Sequence, residues 1–273
     1  MPRGRALLWT TDQVALGVHA RADAPPEALA RKLLLRTLSD LAAAGAQPWA
    51  VLWTIAAPRQ RPLAYLRRLA RAFLAEARRH RVAVVGGDCT TARALVLTCS
   101  ALGLEARRGT PGRSGARPGD VLLVTGRLGD AVRSGRHLRP VPRLAEGRLL
   151  AATHRAHAMM DLSDGLARDL PRLLERSRVG AAVRLESLPL AAGLSGSQRA
   201  FASAIGEGED YELLAALAPA DARRALADAR LRRCGIHAIG RITAARGLLW
   251  LKDGVAVPAP AAGFSHRWRG SRT

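Results

Sequence analysis

The chain has 273 residues, 48% apolar and 24% charged, ordinary globular usage that excludes a disordered chain and leaves length for two medium domains. Lysine plus arginine number 43 against 22 acids, a formal net charge of +21, which raises polyanion binding as a function class. Only Lys32 and Lys252 are lysines, the arginines run through every segment and aromatic residues are 4%, so the stacking surface of a single-strand binder is missing and no specific nucleic-acid partner is expected.

Ala6 to Thr10 is a short apolar run, predicted as a buried strand that ends in Thr11-Asp12. Pro25-Pro26 open a helix over Glu27 to Ala44, with Leu29, Leu33, Leu34, Leu38 and Leu41 at three- and four-residue spacings and Gly45 as its stop. A strand follows over Trp49 to Ile55, then an amphipathic helix over Pro62 to His80. Val82 to Val85 is predicted as a strand stopping at Gly86-Gly87-Asp88, and Ala94 to Leu104 as another. This alternation is an α/β pattern. Arg107 to Gly119 is rich in Gly, Arg and Pro without a period, which sets the expected boundary between a domain over 1–107 and one over 108–273. Val121 to Thr125 restarts a strand, and Gly126-Arg127-Leu128-Gly129-Asp130 is predicted to open a helix. A helix is expected over Leu162 to Leu174, strands over Glu212 to Leu217 and Gly235 to Arg241, and a hairpin over Leu248 to Val257 turning at Asp253-Gly254.

Cys89, Cys99 and Cys234 are scattered without a C-x-x-C pair, which argues against a disulfide framework or zinc finger. No apolar run approaches the ~18 residues of a membrane span, and Thr10 and Asp12 come too early for a signal peptide. A cytoplasmic protein without a membrane partner is expected. The acids are the informative residues. Asp12, Asp40, Asp88, Asp161, Asp164, Glu209, Asp210 and Glu212 stand beside small residues at expected strand ends, where a carboxylate either caps a helix or offers oxygen to Mg²⁺. Several such clusters in one chain read as a shared metal–phosphate site. No P-loop or protein-kinase signature occurs. Gly86-Gly87-Asp88 beside Thr90 and Thr91 reads as a turn or as a phosphate cradle. His19 is the histidine near such an acid, and no Ser-His-Asp triad assembles from spacing.

The runs T-T-D-Q-V-A-L-G-V-H-A (10–20), L-S-D-L-A-A-A-G-A-Q-P (38–48) and V-G-G-D-C-T-T (85–91) resemble the N-terminal half of the thiamine-monophosphate kinase family. G-R-S-G-A-R-P-G-D (112–120), V-T-G-R-L-G-D-A (124–131), M-D-L-S-D-G-L (160–166), G-E-D-Y-E-L-L (208–214) and G-F-S-H-R-W (263–268) continue it in order. Aminoimidazole ribonucleotide synthetase, selenophosphate synthetase and a hydrogenase-maturation dehydratase share the superfamily.

The resemblance implies a two-domain α/β (α+β) fold of the aminoimidazole ribonucleotide synthetase type and a homodimer built through the N-terminal sheets. It also implies ATP-dependent conversion of thiamine phosphate to thiamine diphosphate, with several Mg²⁺ ions and ATP as co-substrate. By position, Thr10, Thr11, Asp12, Asp40, Asp88, Asp161 and Asp164 correspond to metal ligands. Gly87, Asp88, Arg113 and Ser163 correspond to ATP contacts, and His19, the acids Glu209, Asp210 and Glu212, and Phe264 to thiamine-phosphate contacts. No catalytic base is implied, because an ionised phosphate oxygen is the acceptor. The family also carries an upstream G-D-D-A-A motif that residues 1–11 lack, and Ser265 stands where an Asp is common. Two further readings therefore accompany the kinase: a weakly active or inactive homologue that binds nucleotide or thiamine phosphate, and another ATP-using member of the superfamily.

Overall fold

The computed structural model describes residues 5–105, 109–195 and 197–264. The expected boundary at 107/108 and the part of the closing motif from Ser265 to Trp268 lie outside the described residues. The chain folds as two compact units, residues 1–112 with 135–156, and residues 113–134 with 157–273.

In the first unit β1 (Leu7–Ala15), α1 (Pro26–Ala43), β2 (Gln47–Ala57), α2 (Leu63–Arg79), β3 (Ala83–Thr91) and β4 (Val96–Leu104) follow in order, and α3 (Leu144–Arg148) returns later in the chain. The sheet order is β1-β4-β2-β3, with β3 parallel to β2 and the other pairs antiparallel. Alternate residues of each strand point to opposite faces. Val51, Trp53, Ile55, Leu97, Cys99 and Ala101 pack under Leu29, Leu33 and Leu38 of α1 and Leu69 and Phe73 of α2. Phe73 stacks on Trp53 with ring centroids 4.2 Å apart. Each fully buried Leu or Phe contributes roughly 1.5–3 kcal/mol of apolar burial, so this layer accounts for the helices' docking. Leu7, Trp9 and Leu52 stand on the other, open face.

The second unit contains β5 (Val121–Thr125), β6 (Ala158–Asp161), α4 (Leu166–Ser177), β7 (Gly180–Arg184), α5 (Gln198–Gly206), β8 (Leu213–Leu217), α6 (Pro219–Ala227), α7 (Ala229–Arg232), β9 (Ile236–Thr243), β10 (Gly247–Lys252) and β11 (Val255–Val257). They form one sheet, β11-β10-β7-β9-β5-β8-β6, in which β7 and β10 are parallel. All five residues of β8 are buried, the continuous apolar run expected of a central strand covered on both faces. The mixed α/β class read from the sequence is the one observed. Among the described residues no helix is long and apolar enough to cross a membrane.

Four local expectations need correction. β1 does not end at Thr11-Asp12; it continues to Ala15, because β4 pairs with it residue for residue as far as Val96. Gly86-Gly87-Asp88 is not a turn but the middle of β3, after a register shift beside Val51 and Leu52. Gly126 to Asp130 opens no helix: Gly126, Gly129 and Asp130 have φ of 60°, 86° and 61°, and left-handed residues do not propagate a right-handed helix. The helix expected from Leu162 starts at Leu166 instead, after Gly165 at φ 96°. The acids also differ in setting from the expected strand ends, for Asp40 lies in α1 and Asp12 and Asp88 lie within strands.

A Cβ on Gly87 would sit 2.0 Å from the Trp53 carbonyl oxygen, so β2 and β3 approach closely only without a side chain there. Gly87→Ala is expected to cost about 1–3 kcal/mol, read as a lower midpoint in urea at unchanged slope. The thiols are expected to separate by reactivity at pH 8. Cys89 is exposed and should be modified by a disulfide reagent in the native protein, whereas Cys99, whose thiol is pushed up to about 12 by burial, should react only after unfolding.

Candidate functional site

Three polar side chains four residues apart on α1, Lys32, Arg36 and Asp40, face β1 and the turn that follows it. The Thr10 hydroxyl donates to the Asp40 carboxylate. Arg36 pairs with Asp12 at 3.1 Å and also donates to the Gln13 carbonyl. Lys32 has no exposed surface and donates to the His19 carbonyl at 2.5 Å. His19 sits in a tight turn, with Gly17 at φ 85° and the Gly17 N–H bonded to the Ala20 carbonyl. Its Nδ1 accepts the Ala15 N–H at 3.1 Å, which in the neutral ring leaves the proton on Nε2.

Thr10, Asp12 and Asp40 are thus brought together on the helix-covered face, with His19 in the turn after β1. Thr11 is on the open face, its hydroxyl donating to the Cys99 carbonyl and accepting from Ser100. Asp88 pairs in register with Thr54, whose side chain also points to the open face. The structure therefore places Asp88 on the opposite face of the sheet from Asp12 and Asp40. Gly87 faces Trp53.

In the second unit three sequence-distant motifs are laced side by side through their backbones. The Leu162 N–H donates to the Glu212 carbonyl at 2.9 Å, and the Tyr211 and Glu209 N–H groups donate to the carbonyls of Leu162 and Ser163 at 2.8 Å each. The Phe264 N–H donates to the Asp164 carbonyl at 2.8 Å. Gly208, at φ 71°, lets the strands of this knot touch, since a Cβ there would meet the Ser163 oxygen at 2.6 Å. Glu209 and Tyr211 also hold positive φ, 60° and 53°, local strain of order 1 kcal/mol each that the lacing sustains. Ser163, Asp164, Glu209 and Phe264 consequently share one patch, at the end of β6 where Asp161 stands.

The acids of the E-D-Y-E run divide by direction. Asp210 is buried and accepts the Gly129 N–H with both oxygens, at 3.0 and 3.2 Å. Glu212 is buried too and accepts the Thr125 hydroxyl at 2.7 Å. Both anchor the Thr125–Gly129 loop. Glu209 is half-buried, with the Tyr211 hydroxyl donating to it at 3.2 Å. Phe264 is exposed. Arg113 is exposed, and its carbonyl accepts the Ser177 hydroxyl.

Sequence reasoning passed over Asp169 and Arg172. Asp169 has no exposed surface, and its carboxylate accepts the N–H groups of Ser163 and Asp164 at 3.0 and 2.9 Å. Burial pushes its carboxyl up to about 6. Arg172 bridges Asp169 and Asp164, each at 2.7 Å. The spacing signals Arg172, since Asp164, Arg168 and Arg172 recur every four residues into α4, as Lys32, Arg36 and Asp40 do on α1; Asp169 lies off that series. Among the described residues no three His, Cys, Asp or Glu side chains form a closed metal cage. The donors of Thr10, Asp12, Asp40, Asp161 and Asp164 are nevertheless all hard oxygens, the chemistry that suits Mg²⁺ and not a softer ion.

Residues 1–104 match the family model for the AIR synthase related protein N-terminal domain, and residues 130–249 the corresponding C-terminal domain. The thiamine-monophosphate kinase of Rhodopirellula baltica is 36% identical over 223 residues, 78% of this chain and 68% of that protein. The crystal structure of thiamine-monophosphate kinase from Stenotrophomonas maltophilia superimposes with a TM-score of 0.82 at 32% identity, over 94% of this chain and 88% of that one. AaThiL complexed with AMPPCP and TMP superimposes with a TM-score of 0.82 at 28% identity, over 96% and 88% of the two chains. Identity at this level over more than two thirds of both chains makes this chain a member of the thiamine-monophosphate kinase family.

Proposed function

We propose that this protein transfers the γ-phosphoryl group of ATP directly to thiamine phosphate, giving thiamine diphosphate. The observation that carries the reading is the match of 96% of the chain to AaThiL, a protein whose complex holds AMPPCP and TMP. The acceptor is an ionised phosphate oxygen, so the reaction needs no general base; its obstacle is repulsion between two polyanions. We assign Thr10, Asp12 and Asp40 on the helix-covered face, Thr11 and Asp88 on the open face, and Asp161 and Asp164 in the second unit to Mg²⁺, as ligands of separate ions and not of one shared cage. Bound there, the cations would neutralise phosphate charge. Arg36 and Arg172 already pair with Asp12 and Asp164, so these two carboxylates are oriented before a cation arrives and are shared with it afterwards.

Gly87, Asp88, Arg113 and Ser163 are assigned to ATP. Arg113 is suited to the part because an exposed guanidinium can grip phosphate through two parallel hydrogen bonds. His19, Glu209 and Phe264 are assigned to thiamine phosphate. Glu209 offers charge to a cationic ring and Phe264 an apolar face, whereas the inward carboxylates of Asp210 and Glu212 support the same loop from behind. A homodimer formed through the open face of the first sheet accounts for its exposed side chains, Trp9 at 72%, Val85 at 62% and Leu52 at 45%, which a monomer would leave in water. The need for ATP and the three free thiols favour the cytoplasm.

Incubation with ATP, Mg²⁺ and thiamine phosphate is expected to yield thiamine diphosphate; ADP without that product, or no turnover at any Mg²⁺ concentration, would overturn the assignment. Asp88→Asn and Asp161→Asn should each lower kcat about 100-fold or more, some 2.7 kcal/mol of barrier, with melting temperatures near that of the parent. Glu209→Gln and Asp210→Asn should behave oppositely. The first is expected to raise the KM for thiamine phosphate several-fold at unchanged stability. The second should cost about 1–3 kcal/mol in a denaturant titration, because it weakens a buried acceptor of the Gly129 N–H.

A further inference from the structure

We infer that Lys32 is a positioning residue for thiamine phosphate, acting through the His19 turn and not through contact with substrate. The inference rests on the assignment of His19 to thiamine phosphate made above. Three independent observations carry it.

The first is burial. Lys32 is one of the largest side chains without exposed surface among the described residues, and a buried ammonium is costly unless its donors are satisfied. The second is its target. Its ammonium donates to the carbonyl of His19, thirteen residues earlier in the chain. That carbonyl lies in the turn joining β1 to the segment before α1, and Leu16 and Ala20 close the turn by a bridge. The ammonium therefore fixes the backbone at the point where the imidazole departs, while the Ala15 N–H fixes the ring. The third is composition. Of 43 basic residues only two are lysine; Lys252 is exposed, and Lys32 stands at a site closed to solvent. An ammonium is a compact charge on a flexible stem, whereas a guanidinium is a planar fork with five donors. A closed pocket aimed at a carbonyl suits the former.

A merely structural lysine would alter stability and treat both substrates alike. A positioning lysine separates them, because only one substrate meets His19. Lys32→Met keeps the length and apolar stem while removing the charge and the donor, so it takes one donor from a neutral carbonyl and leaves no uncompensated charge there. The variant is expected to melt within a few degrees of the parent and to raise the KM for thiamine phosphate about tenfold, with the KM for ATP within twofold. Backbone amides of residues 16–20 should exchange faster in deuterium. In a His19→Ala background the same substitution should add less than twofold to that KM. An unchanged thiamine-phosphate KM in a folded variant, or equal rises in both KM values, would overturn the inference.

The parent protein supplies a test that does not depend on how the variant folds. Thiamine phosphate at saturation should slow exchange of the amides at residues 16–20, while AMPPCP alone should not. Turnover without that protection would overturn the role of Lys32 and leave the kinase assignment standing. A parent protein without turnover would overturn the kinase assignment itself.

Discussion

Helix α1 and strand β1 are held in register by rungs that repeat with matching spacings. Four helical residues advance about 6 Å and two strand residues about 6.7 Å. Asp40 therefore meets Thr10 and Arg36 meets Asp12 with one turn of helix against one pleat of strand, the two elements running in opposite directions. Lys32 comes one turn further on, where the strand has ended, and meets the turn at His19. A one-residue slip of β1 would send Thr10 and Asp12 to the open face and strand all three partners on α1. The leucines of α1 supply most of the burial energy but little directional preference; the rungs supply direction. The positions of His19 and of the acids on this face follow from that alignment.

The second unit reaches order by a different route. Its functional patch is built from loops, and loops lack a repeating ladder, so backbone groups of the S-D-G and E-D-Y segments pair with one another instead. Such contact requires a missing side chain, which Gly208 provides, and anchors beneath, which Asp169, Asp210 and Glu212 provide. Asp210 and Glu212 are thereby committed to holding the loops. Glu209 stays half-buried beside the Tyr211 hydroxyl, and the ring of Phe264 is exposed.

Much of this was legible in the sequence. The 3.6-residue spacing of Leu29, Leu33 and Leu38 and the arginine-faced pattern of 62–80 gave α1 and α2 to within two residues at each end. Asp253-Gly254 gave the last hairpin, because the turn needs two residues at positive φ and they adopt 51° and 79°. Periodicity was silent where tertiary pairing decides. Nothing local says that β1 continues past Asp12, since the cause is β4, some ninety residues on. Gly86-Gly87 looked like a turn because glycine serves both bends and close strand approach, and only the Trp53 carbonyl distinguishes the two. The acids stand out in the sequence, but their directions are not readable there. Asp88 and Asp12 lie on opposite faces because of a register shift near Val85. Asp210 and Glu209, adjacent in sequence, differ in burial.

The first unit is not a continuous stretch of chain. It uses residues up to 112, and is completed by residues 135–156 after the chain has contributed β5 to the other unit. The returning segment is closely fitted. A Cβ on Gly147 would sit 2.0 Å from the Ala42 oxygen at the end of α1, and one on Gly45 would meet the Ala151 side chain at 2.4 Å. During translation, then, the end of α1 waits for a covering that emerges only after β5 has been made. At the synthesis rates usual for ribosomes, about 5–20 residues per second, that interval is several seconds of exposed apolar helix. The two units therefore cannot mature strictly one after the other, and a ribosome-bound chain halted near residue 112 carries every strand of the first sheet but not the segment that seals it.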